Sequence, residues 1–412
     1  MPKYTFKALP NWKLEIRDEK GLRRVLKAEQ PKPLKVTGEK HENIPFYAEK
    51  KWLAGTKLDK LVAMECSISY SLLPETVKLK LEDGTVLIPG VDYMVDPVWG
   101  AFGRLHDSDI GEETAVYADY SYFPPRIDTV FRKGDSFIIR KGTPNGSTPL
   151  LPEKQAGETP ICNIYFDRMR KHFSDDQIFP ILEKYKAKDH GKDIEHQLAR
   201  TLKKLRAGKK VKILFWGDSV TACKFIPEER YRWTVQVTEE LKKRFPKAKI
   251  EAVNLGWGGK AVNTFQCEPP GSPYNYEEKV VNSGADLVFL EFVNDAYLTM
   301  KPEFDRIYNR VRDDFRAKKM DLIVILPHLV RPDWMGLTSQ KNIEEDPRPY
   351  IRFLREFVKE NDYACADVSG RFLHLWKEGF PYNALMLNGI NHPDRRGIKL
   401  FTETVLDLLP KG

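Results

Sequence analysis

The hydrophobic pattern changes period twice along the chain. Up to about residue 160, short β-branched and aromatic runs (57–70, 77–81, 86–88) are broken by the turn chemistry of Glu82-Asp83-Gly84 and Pro89-Gly90-Val91-Asp92. Residues 115–122 alternate with a period of two and stop at Pro124-Pro125. Several short strands at this spacing predict a β-sandwich or jelly-roll-like domain. Pro149, Pro152 and Pro160 then mark a linker, after which 180–188 and 195–205 carry a helical period. From Val211 onward, apolar runs at 212–216, 249–254, 286–292, 322–326 and 364–368 alternate with amphipathic stretches at 233–244, 304–318, 349–360 and 395–409. Strands alternating with helices predict a parallel sheet covered on both faces, a three-layer α/β/α domain. The predicted organisation is a β-rich domain over 1–158, a helical linker segment over 159–205 and an α/β domain over 206–412.

Composition narrows this picture without changing it. At 412 residues and 41% hydrophobic, the chain is long enough for two packed domains. The net charge of +8 is a mild excess of 67 basic over 59 acidic residues, spread along the chain, and predicts no nucleic-acid partner. The basic run Lys203, Lys204, Arg206, Lys209 and Lys210 falls at a predicted helix end, where cations face the helix dipole. Five widely spaced cysteines without a C-x-x-C pattern exclude a disulfide framework and a structural zinc site, and no other metal-ligand cluster or cofactor motif is visible. Cys223 reads as buried filler. No apolar run is long enough to span a bilayer, so no membrane partner is expected. The opening Met-Pro-Lys-Tyr-Thr-Phe lacks an apolar h-region, which predicts a cytoplasmic chain, or a secreted one if an export signal has been trimmed. Nothing indicates the oligomeric state. The aromatics Trp99, Phe102, Tyr117, Tyr120, Tyr122 and Phe123 could build a sugar-stacking surface, but core filling is the favoured reading.

Chemistry concentrates at 211–223, where the run Val211-Lys212-Ile213-Leu214-Phe215-Trp216 ends abruptly at Gly217-Asp218-Ser219. A buried parallel strand here delivers Ser219 to a tight turn at the sheet's C-terminal edge, where open α/β sheets keep their chemistry. A hydroxyl at that position attacks a carbonyl if a base lies within hydrogen-bond reach. Thr221 stands where a G-x-S-x-G elbow would have its second glycine, which disfavours the α/β-hydrolase arrangement.

Gly217-Asp218-Ser219, Asn254-Leu255-Gly256-Trp257-Gly258-Gly259, Val293-Asn294-Asp295 and Asn391-His392-Pro393 resemble, in order and position, the four blocks of the SGNH hydrolases, also called GDSL esterases. The resemblance covers about the last half of the chain. It implies a flavodoxin-like catalytic domain with Ser219 as nucleophile and His392 as general base. It implies an oxyanion hole from the backbone N–H of Ser219, the N–H of Gly259 and the side-chain amide of Asn294. Gly259 is chosen because the family's glycine lies five residues beyond its asparagine, here Asn254; Gly258 is its nearest competitor. No cofactor is implied. A β-rich region before such a domain is similar to two-domain carbohydrate esterases, which implies an acylated carbohydrate or small ester as substrate, with O-acetyl groups foremost. Trp257 is then a candidate sugar platform, or packing against the next helix.

Two positions depart from the family pattern. The carboxylate three residues before the histidine is replaced by Gly389, so His392 must be oriented by a backbone carbonyl, by Asn388 or by a distant carboxylate such as Asp367. Val293 stands where glycine commonly precedes the asparagine and is expected to narrow the pocket. His328 is a second histidine near a strand end, read as pocket wall or core. Two rival functions stand beside this one: an O-acyltransferase on the same fold, and a carbohydrate-binding protein whose SGNH-like domain is catalytically inactive and whose β-rich domain is the functional part.

Overall fold

The computed structural model of the chain describes residues 4–187 and 191–410. Residues 1–3, 188–190 and 411–412, and with them the ends of the predicted 1–158 and 206–412 domains and of the predicted 180–188 helix, lie outside the described residues. The chain divides into two compact units: Met1–Lys184 with Ser339–Lys341 and Leu375–Ile390, and Tyr185–Thr338 with Asn342–His374 and Asn391–Gly412.

The second unit is built on five strands, β1 (Lys210–Gly217), β2 (Lys249–Gly256), β3 (Leu287–Glu291), β4 (Asp321–Leu326) and β5 (Ala364–Asp367). They pair in parallel in the order β2-β1-β3-β4-β5. Parallel neighbours need crossovers, and the amphipathic segments supply them. Nine helices accompany the sheet among the described residues: α1 (Gly191–Gln197), α2 (Ala199–Arg206), α3 (Ser219–Ala222), α4 (Trp233–Arg244), α5 (Val262–Cys267), α6 (Lys301–Lys318), α7 (Pro349–Asn361), α8 (Val368–Leu373) and α9 (Arg395–Leu408).

The period-two alternation of β1 divides its side chains between two faces. Leu214 and Trp216 join Val288, Leu290, Val324 and Leu326 in a core closed by Phe265 of α5, Phe304 and Phe315 of α6 and Phe353 of α7. On the other face Phe215 stacks on Phe289, with ring centroids 4.9 Å apart. Trp233 of α4 meets Phe215 edge-on at 5.1 Å and Phe401 of α9 at 5.0 Å. The basic run ahead of the sheet is largely ion-paired: Lys204 with Asp286, Arg206 with Glu195 and Lys210 with Glu251.

The first unit holds small antiparallel sheets of two to four strands. The largest orders Ser136–Arg140, Arg126–Lys133, Thr159–Phe166 and Ile178–Pro180 side by side. The predicted helical linker therefore opens on a strand of this sheet. The predicted helix over 180–188 also gives way: Phe179 pairs with Asn163, and the Leu182 and Glu183 amides donate to the Lys377 carbonyl. Pro180 ends a strand here rather than opening a helix, because a sheet edge offers the preceding residues backbone partners that a new helix would have to forgo. Trp99, Phe102, Tyr120 and Phe123 are buried in this unit, as core filling requires, while Tyr117 and Tyr122 are half-buried.

Phe289 sits fully buried between Phe215 and Trp233. Phe289→Ala is expected to cost about 3–5 kcal/mol, measured by urea unfolding of the variant against the parent chain.

Candidate active site

The end of β1 is constrained before any chemistry is considered. A Cβ on Gly217 would lie 2.0 Å from Thr221 Oγ1 and 2.2 Å from the Glu291 carbonyl oxygen, so only glycine lets the chain pass between α3 and β3. Asp218 then caps α3: its Oδ1 accepts the Val220 amide at 2.9 Å. Its Oδ2 accepts the Asn294 amide at the same distance. One buried carboxylate thus joins the turn carrying Ser219 to the turn that follows β3.

Ser219 Oγ and His392 Nε2 are 3.1 Å apart, within reach for proton transfer. Asn294 Nδ2 is buried and makes no hydrogen bond among the described residues. The loop after β2 is anchored where the Trp257 amide donates to the Gly217 carbonyl at 2.9 Å. It turns at Gly258-Gly259, with the Lys260 amide returning to the Trp257 carbonyl at 3.3 Å and Gly259 at φ +73°, a conformation that a non-glycine residue adopts only with strain. A Cβ on Gly258 would lie 3.7 Å from that of Ser219, which sets this turn beside the serine. Asn254 Nδ2 donates to the Thr221 carbonyl at 2.9 Å, bracing α3 from β2. Val293 is buried beside Asn294.

The histidine arrives on the segment before α9, whose first turn Asp394 caps by accepting the Arg396 and Gly397 amides. His328, fully buried after β4, is 2.9 Å through Nε2 from the Asn391 carbonyl. A carbonyl only accepts, so Nε2 carries the proton. Burial, with Arg348 beside it, lowers the His328 pKa to about 3 and keeps the ring neutral. His328 is therefore more than wall: it holds the residue next to His392. Phe225 lies parallel to the His392 ring, with centroids 4.5 Å apart and planes at 7°.

Both residues named as orienters of His392 make hydrogen bonds of their own. Asp367 accepts the Gly370 amide and pairs with Arg355 through both oxygens, at 2.8 and 3.0 Å. Asn388, in the first unit, donates to Glu65 Oε1 at 2.8 Å and accepts the Ile390 amide at 2.9 Å. Trp257 stacks on Tyr274 at 4.2 Å and meets Phe265 edge-on at 5.5 Å, so one ring face is occupied by packing.

Under the serine lie three fully buried carboxyls, Asp218, Glu291 and Asp295. Asp295 accepts the Val262 amide at 3.0 Å and the Tyr308 hydroxyl at 2.6 Å, tying α5 and α6 to the turn of Asn294. Glu291 Oε2 accepts the Thr221 hydroxyl at 2.9 Å, while Oε1 has no partner among the described residues. Burial raises the pKa of Asp218 to about 7, against the pull of its two amides. Burial likewise raises Asp295 to about 7. Glu291 is raised well above its ordinary value, by burial first and by Asp218 second. The sequence signal for this group is the glutamate that ends the otherwise apolar run Leu287–Glu291.

No protein-family model and no curated protein match the chain. Among solved structures it is similar to a two-domain esterase (CEX) active on acetylated mannans, co-crystallized with mannopentaose, at 18% identity and TM-score 0.41. That match covers 52% of this chain and 53% of the other, about half the length of each. It is also similar to the acetyl xylan esterase AlAXEase, at 17% identity and TM-score 0.39, covering 48% of this chain and 100% of that one. Axe2, an acetylxylan esterase from Geobacillus stearothermophilus, is similar at 18% identity and TM-score 0.38, covering 48% and 94% respectively.

A carboxyl whose folded pKa is raised stabilises the fold while protonated and loses that contribution as pH climbs from its unfolded value toward the folded one. Glu291→Gln removes that titration and keeps an acceptor for Thr221. The Tm of the variant relative to the parent chain is expected to rise as pH climbs above the ordinary glutamate value of 4.5, read by scanning calorimetry.

Proposed function

We propose that the chain is a serine esterase that hydrolyses short acyl esters, with O-acetyl groups on carbohydrate as its substrates. The observation that carries this reading is the 3.1 Å approach of His392 Nε2 to Ser219 Oγ at the C-terminal edge of a parallel sheet. The sheet order β2-β1-β3-β4-β5 is that of flavodoxin-like doubly wound folds and supports the three-layer reading of this unit. The acetylated-carbohydrate part rests on the β-rich region preceding the four SGNH-like blocks.

In the proposed reaction, His392 takes the Ser219 hydroxyl proton as Oγ attacks the ester carbonyl. The oxyanion is met by the amides of Ser219 and Gly259 and by Asn294 Nδ2. Collapse breaks the ester C–O bond, and the imidazolium returns its proton to the leaving alcohol. Water, deprotonated by His392, then attacks the acyl-enzyme; the acyl C–Oγ bond breaks, the imidazolium returns the proton to Ser219 Oγ, and the carboxylic acid leaves. The open left-handed turn at Gly259 leaves its amide unobstructed by a Cβ, and an asparagine donor adds no charge to the site.

Ser219→Ala is expected to lower turnover of p-nitrophenyl acetate by at least about a thousandfold. Parent activity should fall steeply from acetate to butyrate to octanoate, with Ser219-dependent acetate release from acetylated xylan or mannan. Transfer to a sugar alcohol in preference to water would instead indicate an acyltransferase. Polysaccharide binding without Ser219-dependent turnover would indicate a binding protein. Asn294→Ala should lower kcat by about 100- to 1,000-fold with little change in KM, the signature of a donor used in the transition state.

A further inference from the structure

In a Ser-His pair the imidazole must be aimed at the serine and must tolerate the positive charge it acquires when it takes the proton. An aromatic face can meet both needs, since a parallel ring fixes the imidazole plane and its negative quadrupole attracts the imidazolium. The geometry around His392 supplies such a face. Phe225 lies parallel to it at 4.5 Å, inside the range in which a ring attracts a cation.

Phe225 is also held in place. α3 ends at Cys223 in a left-handed conformation, φ 51°, and the chain reverses there, with the Ile226 amide returning to the Cys223 carbonyl at 3.1 Å. Cys223 and Ile226 are both buried, so Phe225 is presented from a turn anchored on either side. Arg232 fixes the far end by donating to the Ile226 carbonyl at 3.0 Å and to that of Pro227. Trp233 Nε1 donates to the Val220 carbonyl at 2.9 Å, locking α4 to α3. The serine and the ring that covers its histidine therefore come from one seven-residue stretch, 219–225. On the His328 side, His328 is held neutral and the nearby Arg348 is paired with Asp346.

We infer that Phe225 is a positioning residue for His392: by stacking on the imidazole it sets the plane in which Nε2 meets Ser219 and stabilises the imidazolium formed during catalysis. The inference deepens the esterase reading and rests on it for its catalytic part, while the stacking itself can be measured without turnover.

The test is the titration of His392 followed by NMR on histidine-labelled protein, in the parent chain and in Phe225→Leu, which keeps apolar bulk and removes the π face. Phe225→Met serves if the leucine variant does not fold, and Phe225→Tyr restores the ring. The His392 pKa is expected to drop by about half a unit or more in Phe225→Leu and to return in Phe225→Tyr. With p-nitrophenyl acetate, kcat should fall at least tenfold in Phe225→Leu with KM nearly unchanged, and the acid limb of the pH profile should move with the NMR titration. Phe225→Tyr should recover most of the lost kcat. A His392 titration that the loss of the ring leaves unmoved overturns the inference whatever the turnover. Absence of Ser219-dependent turnover in the parent chain overturns the esterase reading instead, and the titration still decides the stack.

Discussion

The Asp218 carboxylate is the interaction on which the site depends. Its two oxygens accept one amide from the Ser219 turn and one from Asn294, so the hydroxyl and the side-chain donor are held in register by a single buried group. Burying a carboxylate is costly unless its oxygens are satisfied, and two amides at 2.9 Å go far toward that. Asp295 close by raises the cost again, since like charges sharing a dry site resist ionisation. Rigidity at the serine is thus obtained from a group under electrostatic load.

Sheet order explains why this clamp is short. β1 and β3 are neighbours, so the turns leaving them lie side by side and one aspartate spans both. β2 lies on the other side of β1 and brings the Gly258-Gly259 turn against the serine from there. The histidine has no strand of its own. Its segment is held by contacts outside the sheet: the Asp394 cap, the neutral His328 and the ring of Phe225.

The parts of the fold legible in the sequence were those with strong periodicity. The five apolar runs after Val211 are strands, and the amphipathic stretches between them are helices; burial on both faces leaves little ambiguity in the inner strands β1, β3 and β4. The segment from Pro180 was misread since a proline opens helices and closes edge strands alike, and only the partner at Asn163 decides. At the site, Ser219 and His392 were legible from their blocks, and the structure places them within hydrogen-bond distance. The surroundings of His392 were not, because a search for a carboxylate looks along the chain before the histidine, whereas Phe225 lies 167 positions earlier and carries no chemical signature. The role of His328 is not legible in the sequence, since a histidine's tautomer is set by its acceptor and no sequence shows that acceptor.

Gly217 separates two kinds of information within a three-residue block. The obstruction to a side chain there comes partly from the backbone oxygen of Glu291, which no substitution at Thr221 can move aside. The glycine is therefore required by the way α3 settles between strands, while the serine two positions later is assigned by the proposed chemistry. Under the proposed function, a descendant of this chain without the reaction would be free to lose Ser219 and still obliged to keep Gly217. Persistence of the glycine is a record of architecture, and the hydroxyl alone is a record of use.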